Sequence, residues 1–174
     1  MLGLFFDVKP KPGHMVHYFE HVDRLKPVLA GHDGLLYLER FRPLDDAEAL
    51  LSHQHWTDEA ALAAWRREAT HRASQAAGRR VHFEDYRIRV GNAVAEPAPE
   101  GRFLVAAYGN APILLEGARA YESVSHSGQF VTLCATTGAA EARAAMSQVA
   151  RADTVRLFAI TRDYTLSDRA EAPG

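Results

Sequence analysis

LLSHQHWTDEAALAAWRREATHRASQAAGRRVHFEDYRIRV, residues 50–90, decides the fold. It begins with an apolar, histidine-bearing run, "EALLSHQHW", that reads as a strand. It ends on "RRVHFEDYRIRVG", where charged and apolar residues alternate as in a half-buried strand. Between them lies an alanine-rich helix. Thr57 is the expected N-cap, Asp58 and Glu59 favour the positive end of the helix dipole, and Gly78 is the expected C-cap. Working outward, "LGLFFDVK" (2–9) reads as a strand ended by Pro10, Pro12 and Gly13. Met15, Phe19, Val22, Leu25 and Leu29 then recur at helical spacing over 14–30, with Pro27 near the end. "GLLYLERFRP" (34–43) is another strand. The order is β-α-β-β-α-β, the split βαβ arrangement called ferredoxin-like, which makes the expected class α+β.

A single unit of this kind has helices on one sheet face only, so its other face must be buried against a second sheet. The rest of the chain offers one. "GNAVAEPAPEG" (91–101) reads as a connecting segment, and the pattern then partly returns: a strand "RFLVAAYG", a hairpin pair "ARAYESVSHS" and "GQFVTLCATT", a helix "GAAEARAAMSQVARA" and a strand "TVRLFAITRDYTL". The stretch "NAPILLEG" is too short for the first helix. "YLERF" (37–41) faces "AYESV" (120–124), and "ALAAW" (61–65) faces "EARAAM" (141–146). The expected division is 1–93, a connection at 94–101, and a trimmed second copy at 102–174. The two halves would form a pseudo-dimer within one chain, with homodimerisation left open.

Composition narrows the function. The chain has 174 residues, 47% apolar and 24% charged, with a formal charge of −2. No basic stripe suggests nucleic acid. No apolar run approaches the roughly 20 residues of a membrane span, and the N-terminus lacks the marks of a signal peptide. A cytoplasmic location is the expectation. The single cysteine, Cys134, in "FVTLCA", reads as a buried inert thiol.

"ERF" (39–41), the run W-x-D-E-x-A-x-x-A-W (56–65) and the following H-R-x-x-Q…G-R (71–79) resemble the antibiotic biosynthesis monooxygenase family, over about the first 93 residues. The resemblance implies a dimeric α+β barrel, in which two ferredoxin-like sheets pack face to face and enclose small hydrophobic pockets. It also implies oxidation of aromatic polyketides or quinols without metal or flavin, so no cofactor is expected, and a small aromatic molecule is the expected partner. A related branch degrades haem. That branch has a histidine ten residues after the tryptophan and an asparagine on the first strand. Gln75 and Phe6 stand at the matching positions here, which argues against haem degradation.

Each candidate residue has a bland reading beside the functional one. Trp65, in the stripe Leu62–Trp65–Ala69–Ala73–Ala76, is either a core anchor or the wall of a substrate pocket, where its indole would stack on a planar ring. The family resemblance favours the pocket. On a continuous helix His71 lies about 240° around from Trp65, off its face, and reads as a partly exposed imidazole near the helix end, or else a second contact to substrate. His53 and His55 share one strand face, as do Tyr37 and Glu39, and as do His82, Glu84 and Tyr86. Surface exposure is a better reading of these histidines than metal binding; as proton carriers, His53 or His55 suit neutral pH. Arg87, alternating on its strand with Ile88, is the arginine expected to hold a phenolate or enolate, and Tyr37, Glu39 and Tyr86 are expected substrate contacts. His14, His17 and His21 read as a solvated helix face. The leading functional expectation is a cofactor-independent monooxygenase acting on a planar aromatic or quinol with O2. Its rivals are a ligand- or haem-binding module and a structural domain with its pockets packed shut.

Overall fold

The structure, a computed structural model, describes residues 1–173. Eight strands form a closed antiparallel ring in the order β1-β3-β2-β6-β7-β5-β8-β4. The first four strands are β1 (Leu2–Pro10), β2 (Leu35–Pro43), β3 (Leu50–Trp56) and β4 (Phe83–Val94). The others are β5 (Arg102–Gly109), β6 (Ala118–Ser123), β7 (Phe130–Thr137) and β8 (Thr154–Thr165). Read from its last strand, each set of four runs 4-1-3-2 around the ring. The sets join at a long β4–β8 ladder and a short β2–β6 ladder from Phe41–Ser123 to Pro43–Tyr121. Closure leaves no free sheet edge among the described residues, so a second copy could not join by extending the sheet.

Strand alternation sets the two sides of the wall. Inside, Phe5, Phe41, Leu51, Leu104, Ala106, Tyr121, Val131, Leu133 and Phe158 fill the barrel's middle. Outside, three helices cover the first four strands: α1 (Met15–Ala30), α2 (Glu59–Arg67) and α3 (Ala69–Ala77). A fourth, α4 (Gly138–Gln148), covers β5, β7 and β8. With the barrel core on one side and helices on the other, every residue of β3 is buried. That is why "LLSHQHW" lacks the polar alternation of a one-sided strand. Residues 110–117, where the second set of strands would carry its first helix, contain none.

Four local expectations are corrected. Asp58, not Thr57, caps α2: its carboxylate accepts from Ala61 N, while Thr57 N is taken by Gly34 O. The helix expected over 57–78 is two helices. Glu68, at φ −58° and ψ 132°, breaks it, and its side chain accepts from His71 N to start α3. Gly78 is the C-cap of α3, as expected, but a π-turn from Gly78 to His82 follows it, so His82 lies outside the strand that carries Glu84 and Tyr86. The connecting segment is also shorter than 91–101, because Gly91–Val94 pair with β8.

Candidate active site

The break at Glu68 builds the site. On a straight helix His71 would point away from Trp65. The restart at α3 carries it back over the indole instead, and the two rings stack at 4.2 Å and 16°. His71 is partly exposed, as expected, but lies on the face of Trp65 rather than off it. Its Nδ1–H donates to Trp65 O at 3.0 Å, leaving Nε2 as the acceptor, with the Gln75 amide 3.4 Å away. Burial lowers the His71 pKa to about 4, so the ring is neutral at physiological pH.

Trp65 and His71 line a cavity of about 110 Å³ between α1, α3 and the outer sheet face. Phe6 of β1, Arg40 of β2, Ser52 and Gln54 of β3, Tyr18 and Leu25 of α1, and Phe83 complete much of the wall. Gln54 is committed within the protein, accepting from Trp56 Nε1 at 3.0 Å and donating to Ser52 Oγ at 3.3 Å. His21 reaches Ser74 at 3.1 Å. Arg40 differs. Its buried Nε has no partner among the described residues. Its charge opposes the rise that burial imposes on the Tyr18 phenol. A cation that lines an aromatic cavity and keeps an unsatisfied donor can hold a small anion.

The strand histidines lie across the wall from this cavity. His53 and His55 face the barrel interior and are buried, not surface groups. His53 Nδ1–H donates to Leu4 O at 3.1 Å, and Nε2 accepts from the Tyr108 hydroxyl at 2.6 Å. His55 Nε2 lies 3.4 Å from the same hydroxyl, and Tyr37 stacks on His55 at 4.8 Å. Burial brings the His53 pKa to about 3 and the His55 pKa to about 4. Gly3 admits this packing: a Cβ there would lie 2.5 Å from Phe158, whose ring stacks on His55.

The remaining candidates also divide. Arg87 cannot be the anion holder of the Trp65 cavity. It projects on the barrel side and is held in a two-point pair by Asp163, at 2.8 and 2.6 Å. Glu39 accepts from His126 at 2.8 Å, away from the cavity. Tyr86 is on the helix side, but in an adjoining recess of about 70 Å³ where Arg169 donates to it. His14, His17 and His21 are not simply a solvated face: their rings gather around His82 at 5.1–5.5 Å. Among the described residues no group of three or more such side chains is placed to hold a metal ion.

Arg40 and Tyr18 were not singled out in the sequence. For Arg40 a signal existed: it alternates with Glu39 in "LERFRP", so one of the two had to face the helices.

An α+β barrel with a small aromatic cavity under its helices is the class of protein that fold and site define. Residues 1–77 match the model of the antibiotic biosynthesis monooxygenase family. The matched segment holds all of the cavity lining except Phe83. A jasmonate monooxygenase of Pyricularia oryzae is 36% identical over 95 residues, which are 55% of this chain and 44% of that protein. The chain thus matches less than half the length of that relative. Among solved structures, an antibiotic biosynthesis monooxygenase aligns over 54% of this chain and 99% of its own (19% identity, TM-score 0.48). An anthrone oxidase-like protein aligns over 99% and 96% (12% identity, TM-score 0.45). No helix among the described residues is long and apolar enough to cross a membrane.

Proposed function

We propose that the chain is a monooxygenase whose substrate is a small, planar, acidic molecule, a phenol or quinol, bound in the cavity under Trp65. The observation that carries this is Arg40, which lines the aromatic cavity within the family-matched segment and whose buried Nε has no partner among the described residues. Pairing with Arg40 favours the phenolate, the form that can give an electron to O2. Trp65 covers the ring, and the neutral His71, with Nε2 as acceptor, receives a proton as the bond to oxygen forms. For a phenol bearing a free ring C–H, one oxygen atom becomes the new carbonyl and the other leaves as water. The substrate supplies all four electrons, so no outside reductant enters the balance. His53, His55 and Arg87 have no part in this step, because the sheet separates them from Trp65.

The test is oxygen uptake and 18O2 labelling with a panel of naphthols, anthrones and quinols, and with jasmonate as the relative's named substrate. The expected result is uptake without added reductant, one 18O per product, and a loss of about a hundredfold or more in Arg40→Met, as for removal of a donor to a developing oxyanion. No uptake above the blank across the panel, with ligands still bound, would leave a binding module as the correct reading.

A further inference from the structure

The barrel has a second opening that the proposed reaction does not use. Inside one mouth lies a cavity of about 610 Å³, lined by Tyr37, Phe41 and His55 from the first four strands and by Tyr108, Phe130 and Arg156 from the last four. We propose that this mouth is a separate binding site for a small planar monocarboxylate, with Arg156 pairing the carboxylate and Tyr37, His55 and Phe130 covering the ring.

The floor is built rather than incidental. Tyr108 is locked by the fully buried His53, whose other nitrogen is fixed on Leu4 O, so the phenol's position and its donor direction are both set. His55 lies above it with Tyr37 stacked alongside. Burial keeps Tyr37 and Tyr108 protonated and His55 neutral, so these groups cover a ring without adding charge.

The charge sits at the rim. Arg156 stands opposite Ala106 of the interior core and is exposed, and no carboxylate among the described residues pairs with it. A free guanidinium favours a planar two-oxygen anion. Asp153 lines the same mouth, so a dianion such as a phosphate monoester meets repulsion that a monocarboxylate largely escapes. The opposite mouth is not equivalent: there the buried Arg89 is already paired with Asp7 at 2.8 Å.

The experiment uses the full chain, 2-naphthoate as probe and 2-naphthamide as its neutral counterpart, followed by 1H–15N spectra. Saturable binding is expected to shift the Gly109 and Asn110 amides and to leave the Trp65 indole N–H in place. Arg156→Gln should weaken naphthoate binding about tenfold or more, roughly 1.4 kcal/mol, without altering the weaker amide binding. Because Arg156 is exposed, the variant should keep the wild-type spectrum elsewhere. Shifts centred on the Trp65 indole, an affinity unchanged in Arg156→Gln, or no saturation would each overturn the proposal. Failure of the oxygenase reading leaves this test untouched, since it needs no turnover.

Discussion

At the scale of the residue, three desolvated histidines tie stability to pH. His53, His55 and His71 are held neutral, with pKa values of about 3, 4 and 4, chiefly by burial. Unfolding returns each ring to an ordinary value near 6.5, so between those limits the unfolded chain binds more protons. Their contribution is complete above about pH 6.5 and falls as pH drops toward 4; for His71 alone the difference amounts to about 3 kcal/mol. Urea midpoints should decline steadily from about pH 7 to pH 5, and the decline should be shallower in His71→Asn. A wild-type midpoint that stays level across that range would contradict this account. Trp65 is tested separately. Trp65→Phe should cost roughly 1–3 kcal/mol in thermal unfolding, as buried aromatic trimming does. It should weaken a bound naphthol by more than that cost, because the stacking face and the N–H go together. Equal affinity in wild type and variant would make Trp65 a core anchor.

At the scale of the element, the helix break matters more than any one side chain. Residues 66–71 read "RREATH", with no Gly or Pro, and the usual stop signals are missing. Here sequence reasoning failed for a physical reason. A continuous helix and a broken one share the same apolar stripe through Leu62 and Trp65, and what separates them is the Glu68 side chain capping His71 N, which no stop residue announces. The strands were legible because β3, β5 and β7 carry long apolar runs between turn residues. The side each residue takes was legible as parity, but which parity meets the helices was not, and so Arg87 was singled out and Arg40 was not. Glu68→Ala tests the break directly. It removes the cap on His71 N, costing about 1 kcal/mol, and puts a strong helix former at the junction. The expected outcome is a small gain in helical circular dichroism, as α2 and α3 merge. Trp65 emission should change as His71 swings off the indole. An unaltered emission spectrum would mean that packing, not the cap, holds the break.

At the scale of the molecule, closure of the ring is the property that every site depends on. The first four strands contribute Phe5, Phe41 and Leu51 to the interior, each almost completely buried, and the last four strands cover them with Leu104, Tyr121, Val131 and Phe158. The need for a second sheet was legible in the sequence, since one ferredoxin-like unit leaves a face uncovered. The joints were not: the β2–β6 ladder is too short to leave a pattern of its own. If the two halves are copies of one unit, residues 1–94 should still seek a second sheet when expressed alone. Cut there, the fragment keeps α1, α2 and α3 and the whole of the Trp65 cavity except what β8 supports from behind. It also exposes the inner apolar face and two open edges, at β2 and β4. Burying that face against an identical copy recovers at roughly 25 cal/mol per Å² what the missing strands supplied, and the antiparallel edges can pair across a two-fold axis. Light scattering should therefore report a dimer. The dimer should lack the His53–Tyr108 contact, since Tyr108 belongs to the missing half, and should be more sensitive to acid than the full chain. A fragment that stays monomeric and unfolds cooperatively would show that the first four strands do not need a covering sheet, and the case for a paired architecture would fall with it.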